Sequence, residues 1–505
     1  DPRLSPTARA ADLHLPVAPG ADLALANGLL HIAWEEDLLD HDYIRSRTVG
    51  FDDARAVALE YHPAHVERLT GVPERQLRAA ARMLAGAKSA MILTGRGAEQ
   101  HSKGVDTVLA FINLALALGL VGKPNSGYGC LTGQGNGQGG REHGQKADQL
   151  VGYRLIENPA HRAAVAKVWG VDPAELPGKG KSATELLNSL GPAGGIRGLL
   201  VMGSDVAVAA PDAGRVREGL ASLDCLAVCD AFPNDTAGYA HFVLPVLQWA
   251  EEDGTMTNLE GRVIRRRAAV RPPPGPRSDL EVLAELARRL GCGERFRFAG
   301  AREVFDEFRR ATAGGPADYS GITYEKIDTS DGVFWPCPSE GHPGTPRMFT
   351  ERFAHPDGKA RFHAVHHRPA GEELDAEYPL RFTTGRLREH YNSGAQTRRV
   401  GPLMESRPAP RLQVHPLTAE RFGLEDGGTA VVESRRGRVV FAVDIAADIR
   451  PDTVFAPFHF GGKEAANLLT NAALDPISRM PEYKVCAVRV REAHSAKSEE
   501  RRTEG

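Results

Sequence analysis

Residues 198–246 carry the alternation that decides the fold: GLLVMGSD (Gly198–Asp205), DAGRVREGLASL (Asp212–Leu223), CLAVCD (Cys225–Asp230) and FVLPV (Phe242–Val246). Short apolar runs of strand length, separated by a helix-length amphipathic segment, predict parallel strands joined by crossover helices. In such sheets ligands collect beyond the carboxyl ends of the strands, where Asp230 closes CLAVC and can accept hydrogen bonds from a ribose or a guanine edge. A solvent-facing strand-end aspartate is the competing reading. The same alternation occurs earlier: ERQLRAAARMLA (Glu74–Ala85) suits a helix, SAMILTGRG (Ser89–Gly97) a strand ending in a glycine turn, and Val105–Val121 a buried helix. That last run is interrupted by Asp106, Thr107 and Asn113 and falls short of the ~20 residues that cross a bilayer, so no membrane span is expected. From about Tyr378 the pattern turns to β, with LRFTTGR, TAVVESRRGRVVFAVDI and DTVFAPFHF separated by turns, one of them near Arg436-Gly437. A closed β domain follows from it.

The 505 residues suffice for about three domains, and 42% hydrophobic content furnishes ordinary cores. The 62 basic and 65 acidic side chains nearly cancel to a net charge of -3, which removes any global electrostatic case for nucleic acid or an anionic membrane. Cysteines stand at 130, 225, 229, 292, 337 and 486 with no CxxC, so neither a disulfide framework nor a complete metal or iron-sulfur site is signalled. Reduced thiols and a cytoplasmic setting are expected. Cys225 and Cys229, four apart on a strand, read as two buried structural thiols. The opening DPRLSPTARAADLHL reads as the exit from a strand whose body is missing, and the charged tail HSAKSEERRTEG as disordered.

The segment TGQGNGQGGREHGQKADQL (Thr132–Leu150) holds six glycines together with Gln134, Asn136, Gln138 and the pair Arg141-Glu142. It is too polar and flexible for core. Glycines let backbone N–H groups approach a bulky ligand, the amides supply fixed donors and acceptors, and Arg141 adds a permanent charge. A mobile linker is the bland alternative, but linkers favour Ser over such a mixture. WAEEDGTMTNLEGRV (Trp249–Val263) suggests a structured polar loop, and RVIRRRAAVRPPPGPR (Arg262–Arg277) a solvated strand edge and proline loop. Ser278 and Glu281 form a capping-box pattern for a packing helix over about Leu280–Leu290, with Leu280, Leu283, Leu286 and Leu290 on one side. His390 and His459 lack metal-ligand spacing and default to hydrogen-bonded structural roles.

Taken together, DPR at Asp1, PGAD at Pro19, TGQGNGQGGREHGQ, MGSD at Met202, CDAF at Cys229, EEDGTMTNLEGR, TTGR at Thr383 and ANLLTNAALDPISRMPEYKVCAVRV at Ala466 resemble the catalytic subunits of the molybdopterin guanine dinucleotide oxidoreductases. The loop is most similar to assimilatory nitrate reductases and more distantly to formate dehydrogenase alpha subunits. That resemblance implies Rossmann-like parallel-sheet α/β domains followed by a C-terminal β-barrel of double-psi type. It implies residues 1–128 as a partial dinucleotide-binding domain lacking its first strand. Residues 129–375 would form a second molybdopterin-binding domain with a segment returning to a missing N-terminal domain, 376–493 the barrel and 494–505 the disordered tail.

The resemblance further implies molybdenum held by two molybdopterin guanine dinucleotides, lined by Asp1, Arg3, Gly20, Asp22, Gly203, Asp205, Asp230 and Thr236 at the nucleotide ends. Thr384, Gly385, Arg386, His390, Asn467 and Lys484 would contribute from the barrel. The implied reaction is oxygen-atom transfer from nitrate, leaving nitrite, with Arg141 orienting the anion, Gln134 hydrogen-bonding near the metal or pterin, and Thr132 leaving space and a hydroxyl. Formate dehydrogenases place an arginine immediately before the Gly-Gln of this loop, where Thr132 stands. Arg141 matches the arginine of periplasmic nitrate reductases across a one-residue gap. The family's 4Fe-4S cluster and the cysteine that ligates molybdenum belong ahead of Asp1, no metal ligand is expected within this chain, and Ala240-His241 departs from the usual Ala-Asp. The segment alone is therefore expected to be inactive. The electron donor implied is ferredoxin, flavodoxin or an NADH-dependent reductase subunit. A formate dehydrogenase-like enzyme and a cofactor-free structural subunit of the same fold are the alternatives.

Overall fold

The computed structural model describes residues 1–131 and 133–493, so the expectations for Thr132 and for the 494–505 tail lie outside the described residues. Chain contacts separate two units, one built from Asp1–Leu131, Val206–Glu218 and the chain from Phe349 onward, the other from Thr132–Asp205 and Gly219–Met348.

The first unit begins with a helical layer. Helix α1 (Asp22–Glu35) is buried continuously from Leu23 to Ala33, which marks a central helix rather than a surface one. Around it pack α2 (Glu74–Gly86) and, beyond strand β1 (Met91–Thr94), helix α3 (Gly104–Ala117). The run expected as a buried helix is α3. Strand β1 pairs in parallel with β2 (Gly127–Cys130), Ile92 opposite Tyr128. Gly104 opens α3 where a Cβ would lie 2.0 Å from the Glu99 carbonyl oxygen. Gly104→Ala should therefore lower stability by about 1–3 kcal/mol or more, since backbone cannot yield as a side chain can; urea unfolding midpoints measure it.

In the second unit the polar loop contains a short helix, α4 (Gly137–Glu142). The strands read from the sequence are β3 (Gly198–Met202), β4 (Cys225–Asp230) and β5 (Phe242–Pro245), with α5 (Ala213–Ala221) falling between the first two along the chain. They pair in parallel, Val201 with Val228 and Val228 with Val243. An antiparallel sheet follows, β6 (Gly254–Thr257) and β7 (Arg262–Arg266) with β8 (Val333–Phe334), so WAEEDGTMTNLEGRV is a hairpin whose turn is held by Asn258 Oδ1, which accepts from the N–H groups of Glu260 and Arg262. The basic run is neutralised at its strand edge: Arg265 and Arg267 pair with Asp328, and Arg266 with Glu252.

Two packing expectations need correction. Helix α6 (Asp279–Arg289) has the capping box on Ser278 and Glu281, yet Leu283, Leu286 and Leu290 are exposed and Ala287 is its buried residue. Helical spacing groups leucines on one face without supplying a surface to cover them. Likewise Cys229 is buried but Cys225, at the start of β4 and paired with Gly198, is exposed.

The first unit ends in a closed six-stranded barrel of β9 (Leu380–Gly385), β10 (Arg411–Val414), β11 (Thr429–Glu433), β12 (Arg438–Ile445), β13 (Thr453–Pro457) and β14 (Cys486–Glu492), in the order β9-β13-β10-β12-β11-β14. Two pairings are parallel, β9 with β13 and β10 with β12. Alternation sends Leu380, Phe382, Leu412, Val414, Val432, Phe441 and Val488 into the barrel core, while Arg381 pairs with Asp452. Ser434 N–H donates to Gly437 O in the turn expected near Arg436-Gly437.

Candidate functional site

In the first unit, β9 delivers Thr384, Gly385 and then Arg386 to one rim of the barrel. Lys484, just before β14, donates from Nζ to Thr384 O at 2.9 Å, and Thr384 Oγ1 donates to Tyr483 O at 3.1 Å. Lys484 is buried and lies 5.3 Å from the Phe458 ring centroid, with the Arg386 guanidinium 5.2 Å from the same centroid. Burial, reinforced by the positive fields of Arg386 and Arg96, pushes the Lys484 ammonium down to about 7. Among the described residues neither Lys484 nor Arg386 has an ion-pair partner. Arg96 is held by Glu99 at 2.7 Å.

His459 fixes the turn after Arg386. Leu387 N–H donates to its Nε2 at 2.8 Å and its Nδ1 donates to Asn392 O at 2.6 Å, and burial depresses its pKa to about 4. The ring is therefore neutral, with a defined tautomer. His390 and Asn467 direct their polar atoms into the protein. His390 Nε2 donates to Arg407 O and its Nδ1 accepts from Thr397 Oγ1, and Asn467 Nδ2 donates to Val208 O while its Oδ1 accepts from Thr470 Oγ1.

Further along the first unit, Arg3 Nε donates to Gln413 Oε1 at 2.5 Å and its guanidinium lies 3.6 Å from the Phe455 centroid. Asp1 Oδ1 accepts from Arg3 N–H at 2.9 Å. Gly20, at φ +87°, turns the chain into α1, whose first residue is Asp22. A Cβ on Gly20 would stand 3.9 Å from Nζ of Lys103. Lys103 is buried, donates to Arg368 O, and is lowered to about 8 by burial against the opposing fields of Glu482 and Asp22. This lysine and Arg96 were not singled out from the sequence, because nothing local to AEQHSKG shows which side chains turn inward, whereas His459 has the hydrogen-bonded role expected of it.

In the second unit, Gly203, Asp205, Asp230 and Thr236 gather at the carboxyl ends of β3 and β4. Gly203 N–H donates to Cys229 O at 2.9 Å. The glycine sits at φ +57° with no heavy atom within 4 Å of where a Cβ would be, an open cradle beside backbone. Asp205 is buried, its Oδ1 accepting from Thr236 N–H at 3.0 Å and from Thr236 Oγ1 at 2.8 Å; desolvation raises its pKa despite those bonds. Asp230 accepts from Phe232 N–H at 3.2 Å and from Asn234 Nδ2 at 2.7 Å. His241 takes another task, Nδ1 accepting from Leu226 N–H at 3.0 Å beside β4.

The loop of the second unit is ordered by its own amides. Asn136, left-handed at φ +60°, accepts from Thr257 N–H at 2.9 Å, and a Cβ on Gly139 would lie 2.2 Å from that Asn136 oxygen. Gln134 is exposed and Arg141 half-buried, and among the described residues Arg141 is in no ion pair. The expectation that nothing in this segment is core fails at Glu142, which is fully buried. Tyr319 and Gln138 provide the hydrogen bonds that a buried carboxyl requires.

These donor sets fit a large polyanionic ligand. Among the described residues the barrel rim offers a buried lysine and an exposed arginine without carboxylate partners, which diphosphate oxygens would satisfy, and the strand ends of the second unit offer an open backbone cradle beside carboxylates suited to the donor edge of a purine.

Residues 1–289 match the family described as Molybdopterin oxidoreductase, and residues 380–487 that described as Molydopterin dinucleotide binding domain. The chain is 45% identical over 493 residues to the assimilatory nitrate reductase catalytic subunit of Bacillus subtilis, covering 97% of this chain and 69% of the relative. It is 37% identical to F420-dependent formate dehydrogenase 1 subunit alpha of Methanococcus maripaludis, covering 97% of this chain and 71% of that one. Among solved structures, acetylene hydratase from Pelobacter acetylenicus superposes with a TM-score of 0.71 at 20% identity, over 98% of this chain and 73% of that one, a likeness of fold. With both family matches, and identity at that level along nearly its whole length, the chain belongs to the molybdopterin oxidoreductases.

Proposed function

We propose that this chain is the greater part of a nitrate reductase catalytic subunit that converts nitrate to nitrite in the cytoplasm, using molybdenum bound by two molybdopterin guanine dinucleotides. The observation that carries this reading is Arg141, in no ion pair among the described residues, on an amide-rich loop in a chain 45% identical to an assimilatory nitrate reductase. The balanced reaction takes nitrate, two electrons and two protons to nitrite and water. Molybdenum, when bound, would supply the two-electron oxygen-transfer chemistry.

This chain's residues do the rest. Arg141 attracts the anion and orients it through its planar fork of donors, and Gln134 adds a neutral donor from the exposed part of the loop. Thr132 contributes a small hydroxyl where an arginine suits formate. Lys484, Arg386 and Thr384 hold the phosphate or pterin oxygens at the barrel rim, with His459 keeping the turn after Arg386 in place. Gly203, Asp205, Asp230 and Thr236 bind a guanosine end, and Asp1, Arg3, Gly20 and Asp22 the other. The remaining assignments in this reading are a 4Fe-4S cluster and the metal's cysteine ligand outside this chain, and ferredoxin, flavodoxin or an NADH-dependent reductase subunit as donor.

The 37% identity to a formate dehydrogenase subunit makes formate the competing substrate. Steady-state assays on the full-length protein separate the two. Reduced viologen oxidation driven by nitrate is the expected result, and formate-driven dye reduction without nitrate turnover would overturn it.

A further inference from the structure

The loop carrying Arg141 also carries an acid that ought to neutralise it. Glu142 is the adjacent residue, and an ionised carboxylate there would compete with any anion for the guanidinium. The fold separates the two. Glu142 is fully buried at the end of α4, beside Trp335 and against Tyr319, whose ring packs on Phe305 and Phe308. Tyr319 Oη bonds Glu142 Oε2. Tyr319 Oη is also 2.8 Å from Thr257 Oγ1, and Gln138 Nε2 donates to Glu142 Oε1 at 3.0 Å and to Tyr153 Oη at 3.0 Å.

Among the described residues, the groups that bond or pack directly on Glu142 carry no charge. From α4 itself comes Gln138, from the turn after the loop Tyr153, from β6 Thr257, and from the aromatic cluster Tyr319 and Trp335. The charged or titratable neighbours along the chain are Arg141, whose field reaches Tyr153, and His143, which stacks on Phe308 at 3.8 Å and is lowered by burial. Burial raises the carboxyl of Glu142, and it pushes both tyrosines up, Tyr153 to about 12. The phenols therefore stay protonated, and although the hydrogen bonds from Tyr319 and Gln138 favour an ionised Glu142, burial outweighs them. Tyr319 Oη and Gln138 Nε2 each donate to one oxygen of the carboxyl, and among the described residues no cation pairs with it, so full burial disfavours the ionised form.

We propose that Glu142 is a positioning residue held as a neutral carboxylic acid, fastening the end of α4 to Tyr319 and Gln138 while leaving the charge of Arg141 uncompensated for the anionic substrate. The substrate half of this statement rests on the nitrate reading; the protonation half does not.

The test uses the full-length holoprotein, its Glu142→Gln and Glu142→Ala variants, and Tyr319→Phe. Infrared difference spectroscopy should show a protonated carboxylic acid band at neutral pH that Glu142→Gln removes; the same spectrum in both proteins would overturn the proposal. In kcat/KM for nitrate, the wild type should fall at alkaline pH as Glu142 ionises, and Glu142→Gln, the shape of the neutral acid, should lack that fall. A variant retaining the wild-type alkaline limb would also overturn it. Glu142→Ala should lose about tenfold to 100-fold more activity than Glu142→Gln through misplacement of the loop, whereas equal losses would mean that filling space is all Glu142 does. Should the alanine variant not fold, Tyr319→Phe keeps the ring and removes the bond, and it should raise KM with molybdenum content unchanged; an unaltered KM counts against the proposal. If nitrate is not the substrate, the nitrate kinetics vanish for every variant while the infrared band and its loss remain to be observed, so the two readings fail separately.

Discussion

Lys484→Met is expected to leave the full-length protein folded, with a more stable apo state, and stripped of most of its pterin and molybdenum. The side chain is buried, its ammonium is beside Arg386 and Arg96, and its pKa is pulled from the ordinary lysine value down to about 7. A lysine whose folded pKa lies below its unfolded one costs stability while charged. Between about pH 7 and the usual lysine range near 10.4, the unfolded chain holds the extra proton and apo stability rises with pH. Methionine occupies similar volume without that charge, so the variant should show a higher urea midpoint at neutral pH and no such rise toward pH 9. In the holoprotein the sign reverses. An anionic group at the rim favours the protonated amine, binding should take up a proton at pH 8, and its loss should weaken retention by about 1.5–3 kcal/mol, the range for a hydrogen bond to a charged group. Molybdenum and pterin content after gel filtration measure this. Full occupancy in Lys484→Met would remove the lysine from the cofactor site.

Arg141→Ala tests the other half of the proposed function. If this guanidinium orients nitrate, its removal should lower kcat/KM by roughly 10²–10³-fold, the usual scale for deleting one preorganised donor from an active site. Molybdenum content should be unchanged, because Arg141 is in no ion pair among the described residues and anchors no other element of the fold. Arg141→Lys should recover part of the loss, since it keeps the charge but not the planar fork. Unchanged nitrate kinetics in Arg141→Ala would take it out of the site. A loss of metal instead would make it a structural residue.

The strand-helix alternation of 198–246, the change to β character near Tyr378 and the capping box at Ser278 were legible because each depends on neighbours along the chain. Period and punctuation are local properties, and the parallel β3-β4-β5 pairing and the closed barrel follow them. Asp230 was legible for the same reason, since it closes the apolar run of β4, whereas Gly203 and Asp205 entered only through the family resemblance. Burial was not. Leu283, Leu286 and Leu290 have helical spacing but stay exposed, and Cys225 parts from Cys229, because a pattern says which side chains share a face and nothing about what covers it. Glu142 is the sharpest case. In the sequence it is the acidic half of an Arg-Glu pair in a polar loop, and only the approach of Tyr319, 177 residues away, makes it a buried acid. Lys484 depends likewise on Thr384, 100 residues distant. What the sequence determined by itself was the order of elements, the barrel and the family, all written in local periodicity and motif. What the tertiary structure decided was which charged groups lose their water and in whose company, because desolvation and the fields of distant residues exist only once the chain has closed around them.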